Sequence, residues 1–180
     1  MKVTRHRKIQ WAIPLMLWLA MVVDVALPAI FPVQFLGNGQ TIVSHLTLFL
    51  IVTVAFYFRD SPIIWYSLLI GLVFDGFSGL ILGLYGTAYC LTAYVISKIK
   101  RYFPKKVWIH WLLFVVVITL VDFIVFVFYR ETGYTTAILT QFIVNKLVPT
   151  LLFNTVLSFV LYLPMKSLLK WLGYEEYIIF

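Results

Sequence analysis

Charge is scarce in this sequence. Asp, Glu, Lys and Arg together make up 12% of 180 residues, while hydrophobic residues make up 63%. That is about half the charged share of an ordinary globular protein. A soluble domain of this size keeps much of its volume near its skin and has nowhere to hide so much apolar surface. A soluble fold is therefore excluded, and lipid has to solvate most side chains. Cysteine is scarcer still. Cys90 stands alone, which excludes an intrachain disulfide and a cysteine metal site. The histidines are His6, His45 and His110, and no H-E-x-x-H, G-x-S-x-G or P-loop pattern accompanies them. Zinc-finger spacings and aromatic-basic RNA motifs are also missing. The expectation is a protein with no catalytic site, no metal, no cofactor and no nucleic-acid partner.

Acidic residues number 7 against 14 basic ones, a net charge of +7. The basic residues fall in short clusters between apolar runs, as in loops that face an anionic cytoplasmic leaflet. Lys2, Arg5, Arg7 and Lys8 precede the first run, Trp11 to Phe31. That run is longer than a signal-peptide h-region and lacks an A-x-A exit, so it reads as a retained span.

A spanning helix takes about 20 apolar residues. On that measure the chain is one integral membrane domain over 1–180, with spans near 11–31, 41–58, 63–76, 79–97, 108–129 and 140–163. Arg59-Asp60-Ser61-Pro62 separates two of them, with Asp60 or Ser61 able to cap the new helix and Pro62 suited to its first turn. Pro149 is expected to bend the last span. The stretch Ile63 to Ser97 is too long for one crossing and short for two. Two short spans turning near Asp75 to Gly79 keep Arg59, Lys98, Lys100, Arg101, Lys105, Lys106, Lys166 and Lys170 on the side of the N-terminus. A single crossing puts the Lys98–Lys106 cluster outside, against the positive-inside rule. The reading is an all-α membrane protein, a bundle of six transmembrane helices with both termini cytoplasmic. Trp11, Trp65, Trp108, Trp111 and Trp171 fall near the cytoplasmic helix ends, where an apolar ring with a polar N–H is favoured.

Ionisable groups inside apolar runs are costly and face the bundle interior or water. Asp24, His45, Asp122 and Lys146 come out in the outer half of the membrane, counting about 1.5 Å per residue. Asp75 comes out at the outer turn. Asp24, His45, Asp122, Lys146 and Asn154 form a candidate intramembrane polar network. It is open to two readings: an outward polar cavity or docking site, or internal pairing, such as Asp122 with Lys146, that fixes helix register. Asn154 and Ser158 share one helix face and are expected to bond to neighbouring helices. The densest glycine cluster is Gly71, Gly76, Gly79, Gly83 and Gly86. Gly79 and Gly83 form a GxxxG pair, which lets helices approach closely, and Gly76 and Gly79 suit a tight turn.

The segment from Gly71 through Asp75, Gly79 and Gly83 to Gly86 has a G-L-x-x-D-x-x-x-G-x-x-L-G-like form, and here the chain resembles the MreD family of bacterial rod shape-determining membrane proteins. Size, basic N-terminus and Asn-bearing last span are similar too. The resemblance implies a non-enzymatic membrane scaffold of the cell-elongation machinery in the bacterial cell membrane. It implies partners: the single-span protein MreC, the cytoskeletal protein MreB, and the RodA glycosyltransferase with its penicillin-binding transpeptidase. It also implies a fold similar to the substrate-binding subunits of energy-coupling-factor vitamin transporters. Gly71, Asp75, Gly79 and Gly83 carry over as candidates for fold or partner docking. A vitamin-transporter subunit is the alternative function. Its A-x-x-x-A signature in span one is missing, since the residue four after Ala20 is Asp24. A membrane enzyme or flippase using Asp24, Asp75 and Asp122 is a further rival, though nothing in their spacing brings the carboxylates together.

Overall fold

In lipid a backbone has to satisfy its own N–H and C=O groups, and a helix does so locally. The computed structural model describes residues 2–37, 39–58, 61–78 and 81–172, the side chains of 2–9 and 78 excepted. Among the described residues the regular elements are all helical: α1 Lys2–Ile30, α2 Pro32–Leu36, α3 Leu46–Tyr57, α4 Ile63–Ser78, α5 Leu84–Ile99, α6 Val107–Glu131, α7 Leu139–Phe142 and α8 Val148–Trp171. A π-helical turn, Ile143–Leu147, joins α7 to α8 in one run, Leu139–Trp171. Gln10–Ile30, Val107–Glu131 and Leu139–Trp171 are each long and apolar enough to cross a membrane. α3 and α4 are shorter apolar helices.

The core is built around α3. Its sequence is apolar on every side, and such a helix belongs in the interior. Thr47, Leu48, Phe49, Thr53 and Val54, which point to different sides of the helix, are all buried. α1, α5 and α6 pack around it. Phe49 meets Phe114 of α6 edge-on at 5.0 Å between ring centroids, a preferred aromatic geometry.

α4 and α5 form a tight antiparallel hairpin. A Cβ on Gly71 would stand 2.6 Å from the Gly86 Cα, so two glycines let the backbones touch. Gly83 has φ +96° at the N-cap of α5, a conformation other residues adopt only with strain. The expected Gly79–Gly83 helix-packing pair takes a different form. Gly83 lies in the turn and not on a helix face, Gly79 lies outside the described residues, and the close approach falls to Gly71 and Gly86. A Cβ on Gly76 would meet nothing within 4 Å.

Several boundaries differ from expectation. The second apolar run becomes helical at Leu46, not Thr41. α4 runs on to Ser78, and α5 starts at Leu84. α8 continues through Pro164 to Trp171. Asp60 lies outside the described residues. Ser61 caps nothing, since its buried hydroxyl finds no partner among the described residues. Pro62 sits just before α4, where its carbonyl accepts the N–H groups of Trp65 and Tyr66.

Candidate functional site

The break ahead of α3 is the most polar place in the interior. Its backbone is satisfied by four residues, Phe35 of α2 and Asn145, Thr150 and Asn154 of the last helical run. Thr41 donates to the Asn145 carbonyl at 2.7 Å and Ile42 to the Phe35 carbonyl at 2.7 Å. Val43 donates to the Thr150 hydroxyl at 3.1 Å. The Asn154 amide clamps the same strand of chain: its Oδ1 accepts the His45 N–H at 2.9 Å, and its Nδ2 donates to the Val43 carbonyl at 2.7 Å. Pro149 accounts for part of this. It has no N–H to give to the carbonyl four residues back, which is that of Asn145, and that carbonyl receives Thr41 instead. Asn145 lies in the π turn, an irregularity that recurs at functional positions.

Asp24 of α1 caps α3. Its carboxylate accepts the N–H of Leu46 at 2.9 Å, the N–H of Thr47 at 2.8 Å and the Ser44 hydroxyl at 2.6 Å. An anion there answers both the unpaired N–H groups of a first turn and the positive end of the helix dipole. At the other end of α3 the Lys100 ammonium donates to the carbonyls of Ala55 at 2.8 Å and Phe58 at 2.7 Å. The central helix is thus closed by a carboxylate at its N-terminus and by an ammonium at its C-terminus, each from another element.

Asp75 does the same for α5. It accepts the N–H groups of Gly83 at 2.9 Å, Tyr85 at 3.0 Å and Gly86 at 3.0 Å. The glycine-aspartate segment therefore works as one device: Asp75 caps the helix that Gly83 begins and Gly86 seats against Gly71.

Asp122 of α6 is fully buried. One oxygen lies 3.4 Å from His45 Nε2 and the other 4.0 Å from Lys146 Nζ. The expected Asp122–Lys146 pair thus has a third member, His45. The oxygen facing Lys146 has no hydrogen bond among the described residues. Lys146 also lines a cavity of about 430 Å³ with Thr41, Phe126, Tyr129, Gln141 and Asn145. The structure brings Asp24, His45, Asp122, Lys146 and Asn154 together around the break and places Asp75 apart, in the hairpin. Ser158 shares the face of Asn154, but its hydroxyl donates back to the Thr155 carbonyl of its own helix.

Sequence reasoning missed Lys100, Ser44, Thr150 and the link between Thr53 of α3 and His110 of α6, whose Oγ1 and Nε2 lie 3.0 Å apart. Lys100 looked like one more cytoplasmic charge, and no local pattern marks it as a cap. Among the described residues no group of three or more His, Cys, Asp or Glu is placed to hold a metal ion.

No curated protein matches the chain, and no solved structure does. The vitamin-transporter alternative finds no support there. Residues 5–172 match the family described as rod shape-determining protein MreD. With nearly the whole length matched, the glycine-aspartate hairpin included, the chain belongs to the MreD family of rod shape-determining proteins.

Proposed function

We propose that the protein is a non-enzymatic scaffold of the bacterial cell-elongation machinery, a six-span bundle with both termini in the cytoplasm. The observation that carries this reading is the use of the buried polar groups. Asp24 and Asp75 each hold the N-terminus of a helix, and Asn154 holds the break. Carboxylates fixed on backbone N–H groups support a rigid fold rather than acid-base turnover. A rigid membrane body of this family acts through the surfaces it offers to partners. Those partners are an MreC-like single-span protein, MreB, and a RodA glycosyltransferase with its penicillin-binding transpeptidase.

The six-span arrangement has physical support. α3 has 12 residues and is only about 18 Å long, short of a bilayer core of about 30 Å. The non-helical segment before it covers more length per residue than a helix would, up to about 3.3 Å, and supports a full crossing. Non-helical backbone at that depth is tolerated where protein buries it. α4 and α5, of 16 residues each, fit two short crossings that turn inside the interface. A reporter fused after Tyr102 is expected to signal from the cytoplasm, and an outside signal would overturn the six-span topology. Depleting the protein from its own rod-shaped host is expected to round the cells. Persistence of normal rods would contradict the role in shape.

A further inference from the structure

At the basic end of the molecule, α3, α6 and α8 line a cavity of about 370 Å³. Its walls are mostly apolar, with Phe49, Val107, Phe159, Met165 and Leu169 among them. Phe49 and Met165 also wall a second cavity of about 330 Å³ between α1, α3 and α8, whose lining is apolar throughout. The apolar surface thus runs on from one cavity to the next.

Tyr57, His110, Ser158 and Tyr162 also line the first cavity, and three further groups suit it to an anion. Lys106 and Lys166 both lie on its lining. So does Trp111, whose buried indole N–H finds no acceptor among the described residues. A buried donor left without an acceptor is unfavourable, and buried indoles normally find one. Lys106 is also the N-cap of α6, so the positive end of a long helix dipole adds to the two ammonium charges. Trp108, also on the lining, is 73% exposed and meets Trp111 edge-on; an exposed indole suits headgroup depth.

We propose that this cavity binds one anionic phospholipid. The headgroup phosphate takes the Lys106–Lys166 side and accepts the Trp111 N–H, and an acyl chain lies along the Phe49–Met165 wall. A free phosphate would gain nothing from such walls, and a zwitterionic lipid would gain little from the two lysines. Basic pockets between membrane helices are suited to this class of ligand.

The test uses the purified full chain in neutral nanodiscs, with lipid binding followed by native mass spectrometry. The probes are phosphatidylglycerol, phosphatidylcholine with the same chains, and glycerol phosphate alone. Phosphatidylglycerol is expected to bind most tightly, with a loss of about fivefold for each of Lys106→Gln and Lys166→Gln. Trp111→Phe, which keeps the ring and removes the N–H, is expected to weaken it as well. A control pair, Lys98→Gln with Lys170→Gln, removes two charges of the same end outside the cavity lining and is expected to leave binding almost unchanged. Equal binding of the two lipids would overturn the proposal. So would a control pair that falls as far as the cavity pair, because it would indicate diffuse surface attraction. Glycerol phosphate binding as well as the lipid would overturn the acyl-chain assignment.

Discussion

Asp24 on α1 and Asn154 on α8 grip opposite sides of the same break. The Asp24 carboxylate accepts the N–H groups of Leu46 and Thr47, and the Asn154 amide oxygen accepts the N–H of His45 between them and the extended segment. Two helices far apart in sequence thus fix where α3 begins.

Asp24→Ala is expected to leave the Leu46 and Thr47 N–H groups and the Ser44 hydroxyl without their acceptor. Each buried donor so stranded costs about 1–3 kcal/mol, so the loss should reach about 3 kcal/mol or more. Asp24→Asn keeps one acceptor oxygen and should lose less. Thermal unfolding in detergent reads both, and equal melting of wild type and Asp24→Ala would contradict the capping role.

The hairpin glycines make a sharper contrast. Gly71→Ala drives a Cβ to 2.6 Å from the Gly86 Cα, and Gly83→Ala places a side chain at φ +96°. The first should separate α4 from α5. The second should cost about 1–3 kcal/mol in backbone strain. Gly76→Ala, with open space around it, should be tolerated. Expression and melting of the three variants give the order, and a Gly76 variant worse than the Gly71 one would contradict the account.

Asp122, His45 and Lys146 predict an unequal pair of mutants. Lys146→Met leaves a fully buried carboxylate with His45 alone. Asp122→Asn leaves Lys146, 23% exposed, able to reach the neighbouring cavity. Lys146→Met should therefore be the more harmful. The double variant should recover part of the loss, with a coupling of about 1–3 kcal/mol. An exchange of the two charges should restore little, because a lysine at 122 would then face His45. Full recovery on exchange would reduce the cluster to a simple pair.

Lys100→Met tests the other end of α3. It removes the donor to the Ala55 and Phe58 carbonyls and should cost about 1–2 kcal/mol. Lys98→Met, two residues away and over the Tyr94 ring at 5.5 Å, should cost under about 1 kcal/mol. Similar melting shifts for the two would place Lys100 among ordinary surface charges.

Much of the helical layout was legible because hydropathy follows directly from the bilayer's thickness. Gly71 and Asp75 were legible through the motif they share. The start of α3 was not. Thr41 to His45 holds no Gly or Pro to stop a helix, and the residues that hold it open, Asp24, Thr150 and Asn154, come from other helices. The glycine pairing failed for a related reason. A GxxxG spacing presumes an unbroken helix, and the turn before Leu84 takes Gly83 off any helix face, leaving Gly71 and Gly86 to meet across the hairpin. Pro149 was expected only to bend its helix. That it also frees a carbonyl for Thr41 depends on a neighbour that sequence spacing does not reveal.

The central claim is that this rigid bundle is a scaffold for wall synthesis. Purification of the tagged full-length protein from its native membranes in mild detergent, with bound proteins identified by mass spectrometry, tests it most directly. The account predicts recovery of an MreC-like single-span protein together with the glycosyltransferase and transpeptidase of side-wall synthesis. Recovery of a coupling subunit with ATPases, or of a bound vitamin without any wall-synthesis partner, would contradict it.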